Sequence, residues 1–419
     1  MEQIPVDYGK VKPYNTRKPP MRQGFLFTIL LRILCGICMM GKDYKIEKKH
    51  MEGLKPPYIL LSNHMYFVDF YLQFIATWPH RVNTIATIDG YYRRPFLMDW
   101  IGCLCKRKFT TDPTLVRSIR KVLKKGDILC MYPEARYSPA GTTAILPDSL
   151  AKLVKLQKVP VVVLLHHGNH LHTPFWNYRK PRKVPLYTTM TQVLTAEDVQ
   201  EKSVEEISDI LQQALTYDEY RWQAEQNIHI TEPFRAEGLH KILYQCPHCL
   251  TESQMTSDRS TLTCQACGKH WEMDTLGRLT ATEGETEFSH IPDWFEWERS
   301  QVRQQLEQGT YRFEDEVDVF SLVEPWKFRP LGKGTLVHDP ELGLVLEGHY
   351  NGKDYRIHRP PLGTYGLHIE YDYCYLRPED CIDISTEDDS LYCYPTKQNV
   401  VTKLSFAVEE LYKMKKDLK

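Results

Sequence analysis

Three short apolar runs, each ending in a polar cluster, restrict the first half of this chain to one kind of architecture. Tyr58-Ile59-Leu60-Leu61 leads into Ser62-Asn63-His64, Ile128-Leu129-Cys130-Met131-Tyr132 into Pro133-Glu134, and Val159-Pro160-Val161-Val162-Val163-Leu164-Leu165 into His166-His167-Gly168. Runs of this length bounded by turn residues are buried strands. Between them the apolar period changes to that of a helix. After Thr111-Asp112-Pro113, Leu115, Val116, Ile119, Val122 and Leu123 recur on one face with Arg117, Arg120, Lys121, Lys124 and Lys125 on the other. Pro147-Asp148-Ser149 opens a second helix carrying Leu150, Leu153, Val154 and Leu156. Strand, helix, strand repetition predicts an α/β sheet with helices on both faces. The polar clusters then emerge along one sheet edge, where such sheets place their sites.

His64 and Asp69 are the first candidates for chemistry. A histidine in a strand-to-helix turn with an acid five positions later suits proton abstraction, because the carboxylate can hold one ring nitrogen while the other faces substrate. Residues five apart do not share a helical face, so Asp69 is expected to reach back from the opening of the helix. The same pair also fits a purely structural hydrogen bond.

The turn after the second strand bears on that choice. Asn63-His64-x4-Asp69 together with Pro133-Glu134-Ala135-Arg136-Tyr137-Ser138 resembles the lysophosphatidic acid (1-acylglycerol-3-phosphate) acyltransferase family, marked by Asn-His-x4-Asp and, further on, Phe-Pro-Glu-Gly-Thr-Arg-Ser. The first motif matches fully. The second matches at Pro133, Glu134 and Ser138 and departs at Ala135, Arg136 and Tyr137, so its arginine arrives one position early. Gly102-Cys103-Leu104-Cys105-Lys106-Arg107-Lys108 fits a third block loosely, and the Val159 strand resembles a fourth, the likeness covering roughly residues 20–230.

The resemblance implies a glycerolipid-acyltransferase-like mixed sheet with flanking helices. It also implies transfer of a fatty acyl chain from an acyl thioester, acyl-CoA or acyl carrier protein, to the hydroxyl of 1-acylglycerol-3-phosphate, giving phosphatidic acid. In that reading His64 and Asp69 are catalytic, Arg136 and Arg107 hold the acceptor phosphate, with Lys108 the other candidate, and Glu134 orients hydroxyls or Arg136. Asn63 is a helix cap or a substrate contact, and no catalytic cofactor is expected. Another lysophospholipid or a glycolipid is the alternative acceptor, and a non-catalytic membrane adaptor the alternative of another class. His166, His167, His170 and His172 are expected at the site rim or on a headgroup rather than on a metal.

The net charge of -1 conceals an asymmetry: residues 1–196 carry 30 Lys plus Arg against 12 Asp plus Glu, and residues 197–419 carry 23 against 42. A basic front half suits an anionic membrane surface or phosphorylated substrates. Nucleic acid is not the expected partner, since no nucleic-acid fold signature accompanies the charge. The apolar stretch Gly24 to Met40 has a polar, Pro-rich lead and no small-residue cleavage site, so it does not read as a secretory signal. With a central arginine it is short for crossing hydrocarbon and is expected to lie in the interface. Lys10, Lys12, Arg17, Lys18 and Arg22 precede it, and Lys42, Lys45, Lys48 and Lys49 follow it. The protein is thus expected on the cytoplasmic face of a membrane, peripheral or monotopic. Arg179, Lys180, Arg182 and Lys183 read as a solvated basic stretch.

The second half opens with Cys246-Pro-His-Cys249 and Cys264-Gln-Ala-Cys267, two pairs whose spacing is that of a structural Zn²⁺ held by four thiolates. His248 and His270 are bystanders, and Gly268 supports the second knuckle. The other eight cysteines read as mostly buried thiols of a reducing compartment, with pairing of Cys35 and Cys38 left open. Beyond the ribbon, a helix from Ile291 to about Gln308 and apolar or alternating runs at 317–323, 335–338, 344–347, 355–358, 365–371, 382–384 and 391–394 precede a last helix over about 399–416. That order predicts a small pleckstrin-homology-like β-barrel ending in a helix, read as a docking or regulatory module for a protein partner. The expected divisions are 1–50 (interfacial helix region), 51–232 (acyltransferase domain), 233–289 (zinc ribbon) and 290–419 (β-rich domain).

Overall fold

The computed structural model describes residues 2–418. The chain divides into two compact units: Asn15–Lys106 with Asp112–Ile228, and Met1–Tyr14 with Arg107–Thr111 and His229–Lys419. We call these the α/β unit and the antiparallel unit.

In the α/β unit the elements run α1 (Phe25–Cys38), β1 (Tyr44–Lys49), β2 (Ile59–Ser62), α2 (Val68–Ala76), β3 (Val82–Thr87), α3 (Pro95–Trp100), β4 (Leu104–Lys106) and α4 (Pro113–Lys124). They continue with β5 (Ile128–Met131), α5 (Ser149–Gln157), β6 (Val161–His167), α6 (Asn169–His172), β7 (Leu186–Leu194), α7 (Ala196–Glu201), α8 (Val204–Leu215) and α9 (Glu219–Glu225). The seven strands order as β1-β7-β6-β2-β5-β3-β4. Ladders are parallel except between β6 and β7, so the sheet is mixed. β2 lies between β5 and β6, and all three point their carboxyl ends the same way. Their side chains are buried on both faces, which is why each read as a continuous apolar run rather than an alternating one. Ile59, Leu61, Leu129, Val161 and Val163 form the core with Ile119 and Val122 of α4 and Val154 of α5. Asp112 caps α4, its carboxylate accepting from the Thr114 and Leu115 amides ahead of the proline turn.

The antiparallel unit contains the cysteine ribbon, with β8 (Met255–Asp258), β9 (Thr261–Cys264), β10 (His270–Met273) and β11 (Leu279–Ala281), then α10 (Ile291–Glu307). There follow β12 (Phe313–Ser321), β13 (Arg329–Asp339), β14 (Gly343–Tyr350), β15 (Lys353–Arg359), β16 (His368–Glu370), β17 (Cys381–Ser385), β18 (Ser390–Pro395) and α11 (Val401–Asp417). All seven expected strands and both helices are present. The second sheet orders as β15-β14-β13-β12-β18-β17-β16, so its first and last strands are central neighbours and the ladder ends at β15 and β16 among the described residues.

The expected divisions change in two places. Ribbon and β-rich sheet are one unit, not two. Trp294 Nε1 donates to the Gln245 carbonyl at 3.0 Å, the Gln245 amide to Glu298 at 2.7 Å, and Trp271 meets Trp294 edge to face. The expected 1–50 region is divided as well: Ile4 pairs with Arg356 on β15, α1 packs on α2, and β1 completes the α/β sheet.

Candidate active site

The site is assembled from the turns that follow β2, β5 and β6. Asp69 is the second residue of α2, completely buried, and it reaches back over the turn. Its Oδ2 accepts from the Met65 amide at 2.7 Å, the Tyr66 amide at 3.1 Å and His64 Nδ1 at 3.1 Å, while Oδ1 accepts from Asn169 Nδ2 at 2.6 Å. Burial would raise its pKa, but the imidazoles of His166 and His64 and the hydrogen bonds from His64 and Asn169 outweigh it and hold the carboxyl below its ordinary value. An ionised carboxylate at Nδ1 fixes the tautomer with the proton on that nitrogen. In the neutral ring the lone pair then sits on Nε2, which has no hydrogen-bond partner among the described residues.

The β5 turn holds the backbone of His64 from both sides. The His64 amide donates to Glu134 Oε1 at 3.3 Å, and the His64 carbonyl accepts from the Ser138 amide at 2.8 Å. Glu134 Oε2 accepts from the Ala144 amide at 2.8 Å. Burial pushes the Glu134 carboxyl up to about 7, against the pull of those amides and of Arg136. Both of its oxygens are engaged by backbone, so Glu134 holds the main chain at His64.

Tyrosines enclose the imidazole. The Tyr132 ring stacks on His64 with centroids 4.0 Å apart, and Tyr137 tilts against it at 4.3 Å. Tyr66 and Phe175 extend this wall around Tyr137. Tyr137 occupies the place where the resembling motif has its arginine, so an aromatic ring meets His64 there. Arg136, one position earlier, is buried and close enough to Glu134 for its charge to act on that carboxyl. Ala135 between them has φ +56°, a left-handed conformation that favours glycine.

Four sequence expectations change. Asn63 does not cap α2: its side chain donates to the His166 carbonyl at 3.0 Å and accepts from the His166 amide at 2.8 Å, riveting the end of β2 to β6. Arg107 belongs to the antiparallel unit, where its buried guanidinium donates to the carbonyls of Leu322 and Val323 and to Ser390 Oγ, each at 3.1 Å. A buried cation needs such acceptors, and these remove it as a phosphate holder in this arrangement. His166 and His170 are wholly buried rather than at a rim, and burial pushes their pKa down to about 4 and about 3. Arg182 is buried over the Trp176 ring, not solvated.

Sequence reasoning missed Asn169. Gly168, at φ +81°, turns the chain out of β6, and a Cβ there would lie 2.4 Å from the Pro185 carbonyl oxygen, so only glycine delivers the asparagine to Asp69. The Gly-Asn pair straight after a strand was the available signal.

In the antiparallel unit the sulfur atoms of Cys246, Cys249, Cys264 and Cys267 lie within 4.8 Å of one another, the group among the described residues that could hold a metal ion. Cys246 and Cys267 are 3.8 Å apart and Cys249 and Cys264 3.7 Å. A tetrahedron with Zn–S bonds of about 2.3 Å has edges of about 3.8 Å, so the four thiols fit Zn²⁺ and leave no open position. Leu250 at φ +62° and Gly268 at φ +78° close the two knuckles in the same way.

No protein-family model matches the chain, and no curated protein matches it. Among solved structures it is similar to the 1-acyl-sn-glycerophosphate (LPA) acyltransferase PlsC of Thermotoga maritima, at 14% identity and a TM-score of 0.36, over 45% of this chain and 78% of that one.

Proposed function

We propose that the α/β unit is an acyltransferase that moves a fatty acyl chain from a thioester, acyl-CoA or acyl carrier protein, to the hydroxyl of a lysophospholipid. By its motifs the acceptor is 1-acylglycerol-3-phosphate and the product phosphatidic acid. The observation that carries the reading is the ordered base: His64 Nδ1 on the buried Asp69 at 3.1 Å, with the turn around it fixed by Glu134 and Ser138. A thioester is already activated, so making the alcohol nucleophilic is the main demand. His64 Nε2 takes the hydroxyl proton as the alkoxide oxygen bonds to the acyl carbon. The C–S bond then breaks, and the proton passes to the departing thiolate. Asp69 stabilises the imidazolium formed between those steps.

A different acceptor, a second lysophospholipid or a glycolipid, is favoured by one observation: Tyr137 rather than a cation lies against His64. Arg136 is the cation left in the motif to meet a phosphate. The protein works peripherally on the cytoplasmic face of a membrane through α1, and no helix among the described residues is long and apolar enough to cross one. The order of the second sheet, with its closing helix, supports a pleckstrin-homology-like docking module for a protein partner. The four thiolates bind a structural zinc.

The test is acyl transfer by the full chain from labelled acyl-CoA, and separately from acyl carrier protein, to a panel of lyso-acceptors. His64→Ala is expected to abolish transfer with fold and zinc content intact, and retained turnover refutes the mechanism. Strong transfer to an uncharged acceptor selects the second reading. Inactivity with every donor and acceptor selects the non-catalytic adaptor.

A further inference from the structure

The α/β unit carries large apolar side chains that stand substantially exposed among the described residues. On α1, Phe25 is 59% and Leu26 80% exposed, and Leu30, Ile33, Leu34 and Ile37 continue the row. A second group stands on α3, a helix to which the sequence drew no attention: Phe96 is 67% and Trp100 59% exposed, with Leu97 between them. Soluble surfaces rarely collect aromatic and aliphatic groups this way without a partner.

The two helices are fastened end to end. Gln23, buried just ahead of α1, donates its side-chain amide to the Ile101 carbonyl directly after α3 and to the Val82 carbonyl. Asn83 bridges the carbonyls of Met21 and Gly102, at 3.2 and 2.7 Å. The Arg81 Nε donates to the Gln23 carbonyl at 2.7 Å, and Lys18 pairs with Asp99 at 3.6 Å. These bonds fix the exposed start of α1 beside α3.

We infer that α1 and α3 form one lipid-docking face, in which Phe96, Leu97 and Trp100 enter the interfacial layer of an anionic bilayer together with Phe25 and Leu26. The argument for lipid over protein is composition and charge. α1 has 14 residues, about 21 Å, against about 30 Å of hydrocarbon, so it lies in the surface plane. Neither α1 nor the exposed side of α3 presents an unpaired acid, Asp99 being engaged by Lys18. Residues 15–49 hold eight Lys or Arg against two acids, a basic collar that complements anionic headgroups. A tryptophan and a phenylalanine on a short helix are the side chains that favour the headgroup boundary. Two points of contact fix an orientation on the surface, where one helix alone leaves rotation free.

The experiment is co-sedimentation of the full-length protein with phosphatidylcholine vesicles, with and without phosphatidylserine, read without any acyl transfer. Its failure is therefore separate from failure of the enzymatic reading. The Phe96→Ser/Trp100→Ser variant changes only exposed groups and is expected to lower partition onto phosphatidylserine vesicles about tenfold or more, with an unchanged melting temperature. Trp100→Phe is expected to keep most of the binding and lose part of the fluorescence quenching by brominated lipid. Wild-type partition by the double variant overturns the inference. So does quenching unaffected by Trp100→Phe. A lipid-free dimer that the double variant converts to monomer also overturns it, since a second copy would then be the occupant.

Discussion

Asn169 shows how a single side chain bears on His64 without touching it, through Asp69. Its 2.6 Å donation to Asp69 is charge-assisted, worth about 1.5–3 kcal/mol, and it complements the three bonds on the other carboxylate oxygen. Asn169→Ala is expected to lower turnover roughly tenfold with little change in KM and to shift the acid limb of the pH–rate profile. An unchanged profile would mean that the Met65 and Tyr66 amides alone suffice to hold Asp69. At this scale the sequence was partly readable. His64 and Asp69 stand in one local motif, so spacing revealed their geometry. Asn63 and Arg107 did not, because each is paid off by partners distant in the chain: His166 for one, Leu322, Val323 and Ser390 for the other. A polar residue next to a candidate site motif looks like a ligand until its long-range acceptors are known.

Among the elements, strands and amphipathic helices were the most legible. β2, β5 and β6 follow from their apolar runs, and α4 from its period and its Asp-Pro start. Less legible were β1, a lysine-rich strand at the edge of the sheet, and α3, six residues too short to carry a period. The ribbon was legible from four cysteines alone. Its strands have three or four residues each, and its core is small, so the metal is expected to contribute much of its folding energy. Removing zinc with a strong chelator is expected to release one equivalent of metal and lower the melting temperature of the antiparallel unit, with readdition restoring it. Unchanged melting after complete zinc loss would show that the packing of Trp271 and Trp294 holds the ribbon by itself.

For the molecule as a whole, the linear order of motifs suggested a string of modules, and the units prove to be interlaced. Arg107–Thr111 and Met1–Tyr14 fold with residues 229–419. Lys108 is buried with Asp383 at 3.6 Å and Glu370 at 3.8 Å, and Phe109 fits against Gly366, where a Cβ would come within 2.8 Å of its ring. No local pattern announces such pairings, because they join residues hundreds of positions apart. A chain ending at Ile228 leaves these segments without their partners, so it is expected to be insoluble or to melt well below the full protein. A soluble fragment with undiminished melting would contradict this. The same interlacing bears on biosynthesis. Ile4 exchanges two backbone hydrogen bonds with Arg356, both 2.8 Å. At translation rates of about 5–20 residues per second, Ile4 waits on the order of tens of seconds before β15 is made. Throughout that interval Ile4 lacks its strand partner, so this pairing closes late in synthesis.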